Sequence, residues 1–211
     1  MELISNSILF AIVASIFTFI LAILAARVVL KRESRILDIL FTLPMVLPPT
    51  VIGFLLLIVL GNKGVFGGFY NSLNIQILFT PTANIIAATV VSFPIMYKSA
   101  YAAFKSVNED CILVSKTLGL SDGEIFRKIT LPLSKYGLVS GLILSFSRAL
   151  GEFGATMMVS GNIKGKTQTL STAIYTAVQA GNYDRAYMLV LLVIAISTVL
   201  IFLTIFFTEK K

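Results

Sequence analysis

Arg148 and Glu152 stand four residues apart inside an apolar stretch that reads Ser147-Arg148-Ala149-Leu150-Gly151-Glu152-Phe153-Gly154-Ala155-Thr156. On one helix that spacing places them on a shared face, where they pair. Ionisable side chains inside a membrane segment are expensive and usually face a bundle interior or a watery path. Arg148, Glu152, Phe153 and Thr156 are therefore candidates for a pathway wall or gate; the simpler reading is a self-satisfied pair that positions helices. Upstream, Pro44, Pro48 and Pro49 crowd one apolar stretch. Each lacks an N–H and perturbs the preceding turn. Irregular backbone at membrane depth survives only where protein or a cavity covers it, so Pro48, Pro49 and Thr50 join the pathway candidates, with a packing kink as the simpler reading. Catalysis fits poorly. The chain has no histidine, its one cysteine is Cys111, and the acids in or near apolar stretches, Asp38 and Glu152, lie on different ones. No catalytic and no metal-ligating residue is assigned. The run Gly161-Asn162-Ile163-Lys164-Gly165-Lys166-Thr167 approaches a phosphate-binding loop but is one residue short between its glycines. Lys164 and Lys166 could instead attract an anion; the simpler reading is solvated loop charge.

The elements that must position these residues follow from composition. Of 211 residues, 57% are hydrophobic and 13% charged, against about 25% charged in soluble domains; mean hydropathy is +0.93. A membrane helix needs roughly 20 mostly apolar residues. Five stretches qualify: Leu3 to Leu30, Ile36 to Leu60, Ala83 to Phe104, Leu138 to Val159 and Ala186 to Phe207. The expectation is an all-α membrane protein with five transmembrane helices in a single domain, residues 1–211. The first stretch lacks a basic start and is too long for a cleaved leader. Lys and Arg gather on one side: Arg27, Lys31, Arg32, Arg35, Lys98, Lys105, Lys116, Arg127, Lys128, Lys135, Lys210 and Lys211. Lys63, Lys164, Lys166 and Arg185 fall on the other. The positive-inside rule puts the larger group in the cytoplasm, the N-terminus outside and the C-terminus inside. The formal charge of +7 is then an orientation signal at a lipid surface, not a nucleic-acid footprint.

The longest inside loop, residues 105–135, predicts a helix from Asn108 as N-cap through Thr117, with Glu109 and Asp110 at its positive end. Gly119 suits the stop. A second short helix begins with Ser121 and Glu124 in a capping-box spacing, presents Ile125 and Phe126, and ends at Pro132. Exposed apolar residues there need a partner or lipid headgroups.

The spacing Gly119, nine residues, Ile129-Thr130-Leu131-Pro132 resembles the EAA loop of bacterial and archaeal ABC importer permeases. The family's Glu-Ala-Ala falls on Leu113-Val114-Ser115, so its glutamate is missing here. The runs Arg148-Ala149-Leu150-Gly151-Glu152-Phe153-Gly154-Ala155-Thr156, Gly161-Asn162-Ile163, Thr167-Gln168-Thr169-Leu170 and Leu43-Pro44-Met45-Val46-Leu47-Pro48-Pro49-Thr50-Val51-Ile52-Gly53 are similar to the molybdate branch of that family; tungstate and sulfate permeases share much of them. The resemblance implies the type I importer permease fold in the cytoplasmic membrane. It implies that Lys116, Leu118, Gly119, Leu120, Ser121, Asp122, Gly123, Glu124, Ile125, Phe126 and Arg127 couple to an ATPase. The implied partners are a second copy of the chain, two cytoplasmic ABC ATPase subunits holding ATP and magnesium, and an extracytoplasmic oxyanion-binding protein. A stand-alone secondary transporter would more often show an internal repeat, and none is found.

Overall fold

The computed structural model describes residues 2–208, and every regular element among them is helical. They are α1 (Glu2–Arg32), α2 (Arg35–Val46), α3 (Pro49–Leu60), α4 (Gly67–Ser72), α5 (Pro81–Lys105), α6 (Glu109–Thr117), α7 (Asp122–Ile125), a π-helical turn (Phe126–Thr130), α8 (Leu131–Leu133), α9 (Lys135–Leu150), α10 (Gly154–Val159), α11 (Leu170–Gln179) and α12 (Tyr183–Thr208). Lys210 and Lys211, assigned to the cytoplasmic side above, lie outside the described residues.

Small residues let α1 and α5 approach closely, as packing between membrane helices favours. Ala11, Ala14, Ala22, Ala25 and Ala26 of α1 and Ala87, Ala88 and Ala100 of α5 are buried. Between them the hydroxyls of Thr18 and Ser92 lie 3.0 Å apart, so polar groups inside the bundle satisfy one another. Helix α9 packs on α5 with the same economy: a Cβ on Gly137 would sit 2.7 Å from the Cβ of Ala103. At one end of α1 the Ser7 hydroxyl accepts the Leu170 N–H at 2.8 Å, which satisfies a donor in the first turn of α11. Helix α12 is different: 6% of its most apolar window is buried, and Leu191 and Phe202 are 67% and 68% exposed. Its outer surface is built for hydrocarbon.

Helices α1, α5 and α12 are each long and apolar enough to cross a membrane. Two further crossings follow if each bent pair is one span: α2 with α3, bent by 111°, and the α7–α8 segment with α9, bent by 71°. The first break falls at Leu47–Pro48, where the prolines lead sequence reasoning to expect one. The stretch Leu138 to Val159 does not run as one helix. It stops at Leu150, passes through Gly151-Glu152-Phe153 and restarts as α10. The loop between residues 61 and 81 also contains α4, which glycine content hid. Pro132 does not end the α7 segment; a π-turn, with the Leu131 N–H reaching back to Phe126 O, carries the chain past it to Ser134.

Candidate functional site

The two breaks meet. Helix α3 starts at Pro49, and the first helical position accepts a proline because its N–H would be unpaired anyway. A Cβ on Gly154, at the start of α10, would lie 2.8 Å from Pro49 Cβ. A Cβ on Gly53 would lie 3.0 Å from Ala155 Cα. Both contacts are closer than side chains tolerate, so α3 and α10 touch through their glycines. Alanine at Gly53 or Gly154 is expected to pry the two helices apart and cost about 1–3 kcal/mol each; thermal melting of the detergent-solubilised chain checks this.

Glu152 is almost fully buried, and its position explains the second break. Its Oε2 pairs with Arg148 Nη1 at 2.9 Å, and its Oε1 accepts the Ala155 N–H at 2.8 Å. The predicted pair is present, but the two residues do not share a continuous helix: Arg148 sits in the last turn of α9, and Glu152 caps the first turn of α10. An acid at a helix N-terminus is favourable, and the carboxylate turns the chain as well as neutralising the guanidinium. The Phe153 ring lies against Tyr175 of α11, centroids 5.0 Å apart. Thr156 is fully buried and its hydroxyl has no hydrogen-bond partner among the described residues. Pro48, Pro49 and Thr50 are exposed on the isolated chain. Among the pathway candidates, Pro49 therefore meets the α9–α10 break directly, while Glu152 and Thr156 are enclosed beneath it.

At the end of the bundle where α1 and α5 finish, α6 and α7 form the predicted helix–turn–helix. Asn108 caps α6, accepting the Asp110 N–H at 2.9 Å. Gly119 takes φ +80°, the left-handed conformation that ends a helix cheaply only at glycine. The capping box of α7 is closed on both sides: the Ser121 N–H donates to Glu124 Oε2 at 3.1 Å, and the Glu124 N–H donates to Ser121 Oγ at 3.4 Å. The Ser121 backbone, then Lys128, whose ammonium is 3.1 Å from Oε1, hold the Glu124 carboxyl at about 2. Because the folded value lies below the ordinary 4.5, this contribution is whole above pH 4.5 and is lost as pH falls toward 2. Amide protection over residues 121–125, each rate taken relative to its intrinsic rate at the same pH, is expected to fall across that window in the native chain and to stay level in Glu124→Ala.

Burial revises which side of this segment is free. Lys116, Leu118, Gly119, Ser121, Asp122, Glu124 and Arg127 are exposed; Leu120 and Gly123 are half-buried. Ile125 and Phe126, expected outward, point into the bundle. Ile125 is buried. Phe126 meets Phe104 of α5 edge-on at 5.3 Å, and the Arg27 guanidinium of α1 lies 4.4 Å over its ring. Lys31 reaches Asp122 at 3.5 Å. The apolar residues left facing out are Leu113, Val114 and Leu118, on and just beyond α6.

Sequence reasoning missed a polar node that ties α2 to α5. Asp38 Oδ1 accepts from Tyr97 Oη and from Lys98 Nζ, each at 2.7 Å. By position alone Lys98 reads only as a cation flanking a span. The signal available was a lone acid, Asp38, on an apolar stretch, which calls for a partner. At the far end of α1, Lys164 and Arg185 line a recess of about 310 Å³ together with Glu2 and Gln168. No three His, Cys, Asp or Glu side chains among the described residues come together to hold a metal ion.

Residues 7–209 match the family described as binding-protein-dependent transport system inner membrane component. A putative molybdenum transport system permease protein of Bacillus subtilis (strain 168) is 41% identical over 205 residues, covering 95% of this chain and 88% of the relative. The molybdenum transport system permease protein ModB of Escherichia coli (strain K12) is 38% identical over 168 residues, covering 79% and 73%. Among solved structures, a chain of the MetNI methionine ABC transporter in inward-facing conformations superposes with a TM-score of 0.75 at 14% identity, covering 94% of this chain and 89% of that one. A chain of a bacterial alginate ABC transporter, in complex with a pentasaccharide-bound periplasmic protein, gives 0.71 at 18% identity, covering 96% and 76%.

Proposed function

The chain belongs to the family of binding-protein-dependent transport system inner membrane components, the permease components of ABC importers, and from that premise we propose that it carries molybdate inward across the cytoplasmic membrane. The observation that carries this reading is 41% identity, over 95% of the chain and 88% of the relative, to a putative molybdenum transport system permease protein. In this reading α1, α5, α12 and the two bent pairs make five crossings, with the α6–α7 end in the cytoplasm and the N-terminus outside. The basic residues of the α1–α2 turn and the α6–α8 segment support that orientation.

Two copies of the chain would form the path between them. The exposed prolines of the α2–α3 break, backed by α10, would line it. Two cytoplasmic ATPase subunits holding ATP and magnesium would dock on the segment from Lys116 to Arg127, and an extracytoplasmic binding protein would deliver the anion near Lys164. Closure of the ATPase pair on ATP would draw the two copies of α7 together. Each α7 is braced against α1 and α5 through Phe126, so the bundles would move as rigid bodies between outward- and inward-facing states, each selected by what its ligands bind best. The open path should hold the anion weakly, which leaves fine selectivity to the binding protein.

The test is ATP hydrolysis by the complete complex in liposomes with molybdate, tungstate or sulfate presented on its binding protein. Stimulation by molybdate above sulfate is the expected result; uptake with no ATPase subunit present would overturn the reading. A second cargo, sulfate, is favoured by one observation: a probable sulfate transport system permease protein of Chlorella vulgaris is 35% identical over 193 residues.

A further inference from the structure

A cavity of about 730 Å³ opens where α1 and α5 end, flanked by the α1–α2 turn, α6 and α7. Its lining carries Arg27, Lys31, Arg35, Lys105 and Lys116. Two of the acids that also line it are already engaged: Asp38 by Lys98 and Tyr97, and Asp122 by Lys31. Arg27, Arg35, Lys105 and Lys116 form no ion pair among the described residues, and only Glu33 and Glu109 remain to offset them. Glu33, exposed in the α1–α2 turn at φ +49°, leaves the four unpaired cations in excess over the two remaining carboxylates. Leu30, Phe104 and Ile112 give the same cavity an apolar wall.

Cations above an apolar wall, at the level where two spanning helices end, match a phospholipid at its interfacial depth. Size agrees. An inorganic phosphate would leave most of the space empty, whereas ligand sites of about 300–1,000 Å³ suit larger molecules. Continuity agrees as well: Ile36, Ile39 and Leu40 at the start of α2 are 71%, 65% and 54% exposed, a greasy strip on which acyl chains can lie. We propose that this cavity binds the phosphate-bearing headgroup of an anionic lipid. The occupant would bridge α1, α2 and α5 to the α6–α7 segment and hold that segment in place. This assignment holds whichever anion is transported.

The experiment is native mass spectrometry of the full chain in detergent with phosphatidylglycerol or phosphatidylcholine of matched acyl length. The chain is expected to retain phosphatidylglycerol preferentially. Arg35→Gln with Lys105→Gln should reduce that retention about 10-fold or more, while Arg35→Lys with Lys105→Arg and the distant Lys63→Gln should preserve it. Rising ionic strength should erode the preference even if the double glutamine variant fails to fold. Displacement of lipid by millimolar inorganic phosphate would make free phosphate the occupant and overturn the lipid as its source. Equal retention of both lipids, or retention unchanged in a folded double variant, would likewise overturn the proposal.

Discussion

Arg148→Ala is expected to cost the fold about 3 kcal/mol, toward the low end for removing one partner of a buried ion pair because the guanidinium is itself one-third exposed. The loss comes mostly from what stays behind. The Glu152 side chain is 2% exposed, and without Arg148 its charge has one backbone N–H for company. Glu152→Gln keeps an oxygen for the Ala155 N–H and removes the charge, so it should be milder. The combination Arg148→Ala with Glu152→Gln should be more stable than Arg148→Ala alone, since no unpaired carboxylate remains. Melting of the four species in detergent closes the cycle. If the double variant melts no higher than Arg148→Ala, the burial of an orphaned charge is not the dominant cost, and the pair matters for its packing instead.

Phe126→Ala should have the next largest effect, and it separates stability from coupling. The ring is half-buried between Phe104 at 5.3 Å and the Arg27 guanidinium at 4.4 Å. Truncation should cost about 2–3 kcal/mol, less than for a fully enclosed phenylalanine. Arg27→Gln should cost about 1 kcal/mol through loss of the cation–π contact, and the two changes should be strongly non-additive because they break one interaction. On the proposed function the sharper readout is transport. The surface residues of α7 survive the change, so the ATPase subunit should still bind and hydrolyse ATP, while anion uptake per ATP falls several-fold because α7 no longer grips α1 and α5. Unaltered uptake per ATP in a complex that assembles normally would count against a mechanical role for the ring.

Features set by nearest neighbours were the ones legible in the amino-acid sequence. The Asn108 and Ser121 caps, the Gly119 stop and the prolines at the α2–α3 break each act within a turn or two of backbone, so residue type nearly determines them. The direction of Ile125 and Phe126 was not legible, because a four-residue helix such as α7 has no face of its own. Phe104 and Arg27 decide which way it rolls, and neither is near in sequence. The Asp38–Lys98 node escaped for the same reason, its members being 60 residues apart. The break at Gly151-Glu152-Phe153 was hidden by the very spacing that pointed to the Arg148–Glu152 pair. Four residues fit a helix face equally well and a cap that begins the next helix. The missing EAA glutamate at Leu113 takes on meaning once burial is known: in its place the chain offers Leu113, Val114 and Leu118 outward.

With so little of its most apolar window fully enclosed, α12 meets the bundle along one stripe that runs to Ile196 and Leu200 and meets the bilayer with the rest of its surface. Its spelling is therefore free to drift among leucine, isoleucine, valine and phenylalanine, while its extent is not: its 26 residues reach about 39 Å, so removing three turns would leave it short of the bilayer core, and a single lysine near the centre would do more harm than many apolar exchanges. Such a helix keeps its length and loses its vocabulary.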